Sequence, residues 1–260
     1  MENNNKVKSF YENYKEEGRE ERETIEFLRS KNIISRYLTE ATMEIADISG
    51  AAGAYSFWLA NKGHRVHLLD LVEKHINSAK ARSLESGIAL ASYTCADARE
   101  LPYECMSMDL ALLMGALYHL HSPESRVKCL LEVYRILKPG GLIICTVISR
   151  YTALIATMKY KIFDIYNQDY LEKTLETGIH KKANFYMHTP NEIISEMSCA
   201  NFDNIKLIAV EGIASVLGDN QLPQDEGEAA RLLWCIELLE SKMDIIGASR
   251  NIIAVGKRCS

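Results

Sequence analysis

The residues between Asp47 and Asp70 are spaced to hold a nucleotide. Ser49-Gly50-Ala51-Ala52-Gly53 follows the apolar run 45–48 directly, and its five side chains are too small to keep a ligand off the main chain. A helix starting near Ala54 presents unpaired N–H groups to whatever sits in that turn. Gly63 falls where a helix-ending glycine belongs, and residues 65–69 read as the next strand, ending in Asp70. A carboxylate in that place accepts hydrogen bonds from ribose hydroxyls. On this turn alone nicotinamide, flavin and S-adenosylmethionine chemistry all stay open, as does an ordinary strand-to-helix turn.

The elements that must position these groups alternate regularly. Strands are predicted near 44–48, 65–69, 89–94, 108–113 and 142–148, with helices near 54–62, 73–86 and 122–137. That alternation predicts a doubly wound parallel α/β sheet, whose ligands sit outside the carboxyl ends of the strands. Leu137-Lys138-Pro139-Gly140-Gly141 stops a helix sharply before the apolar strand 142–148. Thr189-Pro190-Asn191-Glu192 is a capping box with Pro at the first helical position, so a helix is predicted from there to about Ala200. Strand six is expected near 205–210, a long helix over 226–241 and a last strand at 251–255. Residues 6–39 read as a charge-rich helical segment, which is either a solvated face or a lid closed by Tyr11 or Tyr14.

Composition narrows the partners. A chain of 260 residues with 47% hydrophobic and 25% charged residues can bury one large core unaided. The net charge of −5 and the pI near 5.9 carry no basic footprint for nucleic acid. No apolar run reaches the ~18 residues a membrane span requires, and the first residues have no apolar signal core, so a cytoplasmic protein is expected. Seven cysteines without a CxxC pair are expected to be reduced and mostly buried.

With Asp47, the 49–53 turn, Asp70, Ala96-Asp97-Ala98 and Leu137–Gly141 in place, the sequence resembles the class I S-adenosyl-L-methionine (SAM)-dependent methyltransferases, of methyltransferase type 11/25. It is most similar to a bacterial branch with a Gly-Pro-Leu-Tyr-His-Leu-like segment, matched by Gly115-Ala116-Leu117-Tyr118-His119-Leu120, and an Ile-Ser-Arg-like one, matched by Ile148-Ser149-Arg150. Further matches are Thr177-Gly178-Ile179-His180, Phe185-Tyr186-Met187-His188-Thr189-Pro190, Val210-Glu211-Gly212 and Ile246-Gly247-Ala248-Ser249, so the likeness spans nearly the whole chain. The family's loop usually reads Gly-Gly-Gly-Pro-Gly-Arg-Tyr, and here it is Ser49-Gly50-Ala51-Ala52-Gly53-Ala54-Tyr55.

The resemblance implies a seven-stranded Rossmann-like sheet with an antiparallel last strand, a lid over residues 1–40, a methyltransferase domain over 41–260, and an insertion at 149–189 that caps the substrate. It implies SAM as cofactor, S-adenosylhomocysteine as product and methyl transfer to a small-molecule acceptor. Tyr14, Asp47, Ser49, Gly50, Ala51, Gly53, Asp70, Leu71, Asp97, Ala98, Met114 and Gly115 are the expected cofactor contacts. Asp97 would accept from the adenine amino group while the Ala98 N–H meets the ring.

The methyl of SAM is already activated, so the protein must align an acceptor and, for a hydroxyl or ammonium, remove a proton. Tyr118 and His119 after strand four and Arg150 after strand five stand on the expected edge, and His180, Tyr186 and His188 belong to the insertion. His119 is a base or a structural histidine, and His180 and His188 contact substrate or pack loops. Arg150 suits an anionic substrate or pairs with an acid such as Glu211. His180 and His188 have no carboxylate at matching spacing, so no metal is expected. His75 and His121 read as surface residues. The alternative reading is a SAM- or nucleotide-binding module weakened at Ser49, Ala51 and Ala52. A nicotinamide oxidoreductase would leave Leu137–Gly141 and Ala96–Ala98 without a role. The oligomeric state, monomer or homodimer, is left open.

Overall fold

In the computed structural model, which describes residues 4, 7–9, 11, 24–217 and 222–259, the apolar runs of the sequence are the strands of one seven-stranded sheet. They are β1 (Glu44–Ile48), β2 (Arg65–Asp70), β3 (Ser92–Cys95), β4 (Met108–Leu113), β5 (Leu137–Ile148), β8 (Phe202–Ala209) and β9 (Asn251–Arg258). Their order is β3-β2-β1-β4-β5-β9-β8. The first five run parallel, β9 runs antiparallel to β5, and β8 runs antiparallel to β9. The chain reverses between β3 and β4 to opposite sides of β1, which opens a crevice at the carboxyl ends of β1 and β4.

The central strands are buried on both faces, which is why they read as continuous apolar runs. Around them lie α1 (Ile25–Ser35), α2 (Ala54–Ala60), α3 (Glu73–Ser86), α4 (Pro123–Ile136), α7 (Pro190–Cys199) and α9 (Glu226–Leu239). One layer of core packs Ile33 and Ile34 of α1 with Phe57, Leu59 and Ile76, while the other packs Leu130 and Val133 of α4 with Ile193 and Met197 of α7. The insertion holds α5 (Thr152–Tyr160), α6 (Gln168–Thr177) and the two-residue strands β6 (Ile179–His180) and β7 (Phe185–Tyr186), which pair antiparallel. Short helices α8 (Ala214–Leu217) and α10 (Met243–Ile246) complete the chain.

Two expectations are corrected. Leu137–Gly141 does not precede β5 but belongs to it: Met108 of β4 pairs with Leu137 and Leu110 with Leu142, so the Pro-Gly-Gly residues bulge out of the strand, with Gly140 at φ 79°. Of the seven cysteines only Cys129 and Cys145 are buried. Cys95 ends the edge strand β3, and Cys199 and Cys235 lie on helix faces turned to solvent.

Candidate functional site

At the crevice the turn after β1 folds back on β2: the Ser49 and Gly50 N–H groups both donate to the Leu69 carbonyl, at 2.7 and 3.2 Å. A Cβ on Gly50 would lie 2.5 Å from Leu68 Cδ1 and 2.6 Å from Asp47 Oδ2, so no other residue fits there. Ser49 (φ 60°), Ala51 (φ 49°) and Gly53 (φ 85°) all lie in the left-handed region. The first two stand where the loop this turn resembles carries glycine, so the turn keeps a glycine-loop shape at the cost of backbone strain.

Asp47 stands behind the loop. Its Oδ2 accepts from Ser56 Oγ of α2 at 2.6 Å, while Oδ1 has no hydrogen-bond partner among the described residues. Burial, reinforced by the charge of Asp70, pushes its carboxyl up to about 6 against the Ser56 bond. Asp70 closes the turn on the other side: Oδ2 accepts from Ala51 N (2.9 Å), and Oδ1 from Val72 N (2.9 Å) and His75 Nδ1 (3.1 Å).

Ser49, Gly50, Ala51 and Asp70 line one cavity with Leu71, Asp97, Ala98, Met114, Gly115, Tyr118 and His119. Its other walls come from Asn4, Val7 and Tyr11, from the first turn of α1 (Glu26, Phe27) and from Tyr55. The Arg99 guanidinium and backbone N–H, with Asn4 Nδ2 at 2.7 Å, hydrogen-bond Asp97. Burial alone would raise this carboxyl, but those donors hold it well below the usual carboxylate range. Tyr11 Oη lies 3.0 Å from His119 Nε2. Burial drives the His119 imidazole down to about 4, so at neutral pH it carries a lone pair for a proton. Tyr118 packs on His119 at 4.6 Å, and Phe185 of the insertion meets both rings edge-on.

Of the expected cofactor contacts, Ser49, Gly50, Ala51, Asp70, Leu71, Asp97, Ala98, Met114 and Gly115 line the cavity. Asp47 and Gly53 support the loop from behind, and Tyr14 lies outside the described residues. Tyr118 and His119 are on the cavity wall, whereas Arg150, His180, Tyr186 and His188 are not. Arg150 is buried and donates to both oxygens of Glu192 at 2.7 Å, to Tyr186 Oη and to the Met187 carbonyl. Its partner is Glu192 rather than Glu211, which instead holds Asn251 and Ser249. Tyr186 lies between two guanidiniums, with Arg126 Cζ 3.5 Å and Arg150 Cζ 5.5 Å from its ring centre. His188 Nε2 pairs with Glu196, which also binds Arg126, and His180 Nδ1 accepts from Ala183 N. The physical reason is reach: β6 and β7 fold the insertion onto α4 and α7, where each charged group finds a partner before it reaches the cavity. Among the described residues no group of three or more His, Cys, Asp or Glu is placed to hold a metal, and no helix is long and apolar enough to cross a membrane.

His75, expected on the surface, is buried at the cavity wall. It is buried because it sits in the first turn of α3, five residues past Asp70, and that turn packs down onto the strand end. Its spacing from Asp70 was the available signal. Glu26, Phe27 and Asn4 reach the cavity through tertiary folding and had no local signal.

Residues 46–145 match the methyltransferase domain family. The chain is 26% identical over 155 residues to the ubiquinone biosynthesis O-methyltransferase of Chromobacterium violaceum, covering 59% of this chain and 62% of that one. It is 26% identical over 185 residues to the ubiquinone/menaquinone biosynthesis C-methyltransferase of Hydrogenovibrio crunogenus, covering 66% and 70%. The chain therefore spans a little under two thirds of the first of these relatives. The fold is similar to a SAM-dependent methyltransferase from Methanosarcina mazei, with a TM-score of 0.57, 18% identity, and coverage of 87% of this chain and 97% of that one.

Proposed function

We propose that this chain, which carries a methyltransferase domain on the class I methyltransferase fold, transfers the methyl group of SAM to a small-molecule acceptor. The observation that carries the reading is the cavity itself: a strained small-residue loop, the Asp70 carboxylate and Asp97–Ala98 converge at one sheet edge with the Tyr11–His119 pair. The donor set fits the cofactor. Gly50 lets the turn pack close against Leu68 and Asp47 behind it, so that the loop faces the cavity, and Asp70 and Asp97 supply anionic acceptors for hydroxyl and amino groups.

SAM, when bound, supplies an electrophilic methyl group. The chain's own residues do the rest: Ser49–Ala52 and Gly115 would hold the cofactor by backbone, and Asp70 would hold its ribose. His119 would take the acceptor's proton at Nε2, with the Tyr11 hydroxyl orienting or relaying it. Residues 149–189 would roof the acceptor through Phe185, with Tyr186 and Arg150 shaping that roof rather than touching the reacting atoms. The curated relatives are named O- and C-methyltransferases, so the acceptor atom is left to experiment.

Calorimetric titration with SAM and S-adenosylhomocysteine tests the reading. Micromolar binding that Asp70→Ala abolishes supports it. Absence of binding by the intact chain overturns it, and would favour a fold retained for another purpose.

A further inference from the structure

His75 is more than 95% buried, at 4% exposure, and lines the cavity, yet its Nε2 has no hydrogen-bond partner among the described residues. Buried ring nitrogens are normally satisfied, so an orphan on a cavity wall points to a group that arrives from outside. The neighbouring carboxylate fixes its chemistry. Nδ1 faces Asp70 Oδ1 at 3.1 Å, so the proton of the neutral ring sits on Nδ1 and Nε2 presents a lone pair.

Asp70 cannot serve a vicinal diol alone. A carboxylate has about four lone-pair sites, and Ala51 N, Val72 N and His75 Nδ1 take three of them. One acceptor site is left on Asp70, and a second acceptor stands beside it on His75. Tyr11 meets the His75 ring edge-on at 5.2 Å, on the same cavity wall.

We propose that His75 is a ligand-binding residue whose Nε2 accepts a hydrogen bond from one hydroxyl of a ribonucleoside cis-diol, while Asp70 accepts from the other. This inference rests on the SAM-binding reading of the cavity, and it divides the ribose between two side chains. Nothing in the loop or the adenine-side residues requires that division; it follows from the three bonds Asp70 has already accepted.

The test is a cycle of calorimetric titrations with S-adenosylhomocysteine and its 2′-deoxy and 3′-deoxy analogues, on the intact chain and on His75→Phe, which keeps the ring's bulk. The intact chain should lose roughly tenfold in affinity when the hydroxyl facing His75 is removed, of the order that one neutral hydrogen bond carries. His75→Phe should lose the same factor with S-adenosylhomocysteine and then be indifferent to that hydroxyl. Equal affinity of the variant and the intact chain for S-adenosylhomocysteine overturns the proposal and leaves the SAM reading standing. So do losses that multiply instead of coinciding. Failure of the intact chain to bind either SAM or S-adenosylhomocysteine overturns both. If His75→Phe does not fold, as read by circular dichroism, His75→Gln takes its place, and the intact chain must lose affinity with each deoxy analogue: binding by the intact chain that is indifferent to either deoxy substitution overturns the proposal.

Discussion

At the scale of single residues, the loop tests how far a glycine motif can drift. Ala51 holds φ 49°, where a Cβ costs about 1–2 kcal/mol, and part of that is recovered when glycine, with its larger unfolded-state freedom, replaces it. Ala51→Gly is therefore expected to raise stability by about 0.5–1 kcal/mol in urea unfolding without weakening cofactor binding. Ala52 is not in the left-handed region, so Ala52→Gly should lower stability by a similar amount. The two buried ionisable groups near the loop pull stability in opposite directions with pH. His119 falls from an ordinary 6.5 to about 4 by burial, so its contribution is complete above pH 6.5 and is lost as pH falls toward 4. Asp47 rises from 3.8 to about 6, so its contribution is present at low pH and is lost as pH rises through 6. Each is worth on the order of 3 kcal/mol over its window, and in the intact chain they offset one another. His119→Gln should leave stability falling as pH rises from 4 to 6, and Asp47→Asn should leave it rising over the same range; thermal melts across that range check both signs. Asp70 and Asp97 were legible in the sequence because strand ends are local features. The Arg150–Glu192 pair was not, since its members lie far apart in the chain and are brought together by tertiary packing, and His75, five residues from Asp70, had a local signal in that spacing alone.

At the scale of elements, the turn that carries Tyr118 and His119 is held from behind by one buried ion. Arg126 of α4 is 2% exposed; it donates to the carbonyls of Leu120 and His121 just after the turn, and its Nε donates to Glu196 of α7. Glu196 also holds His188, so α4, α7 and the insertion meet at a single carboxylate. Removing one partner strands the other charge in the core, which typically costs 3–5 kcal/mol. Arg126→Met and Glu196→Leu should each destabilise by about that much in denaturant unfolding, and the double variant by clearly less than their sum. Additive losses would mean that the two side chains act independently. Most of this scale was legible in sequence: apolar runs, the capping box and helix-ending glycines placed the strands and helices within a few residues. The insertion was not, because its two-residue strands and short helices carry too little periodicity to show which way they fold, and so Arg150, His180, Tyr186 and His188 were expected at the cavity and lie behind it.

For the whole molecule, ligand binding and stability are coupled across the cavity, because its floor is the sheet edge and part of its roof comes from the N-terminal residues. Asn4 reaches Asp97 and Arg99, and Tyr11 reaches His119 and His75, while the sheet and its helices bury their apolar cores without either residue. A ligand held between floor and roof stabilises only the folded form, by about 2.7 kcal/mol at a concentration of 100 Kd. For a domain of this size that corresponds to a rise in melting temperature of roughly 5–10 °C. S-adenosylhomocysteine should produce that rise in the intact chain. Tyr11→Ala removes roof contacts and leaves the core untouched, so the ligand-free melting temperature should move by no more than about 2 °C. At a fixed S-adenosylhomocysteine concentration its rise should shrink, and dissociation followed by stopped-flow should quicken roughly tenfold, since loss of a closing contact acts mainly on the off-rate. A Tyr11→Ala chain that melts early even without ligand would instead make the N-terminal contacts part of the fold's own stability. An unchanged off-rate would place closure of the cavity on the insertion, through Phe185, and not on the N-terminal residues.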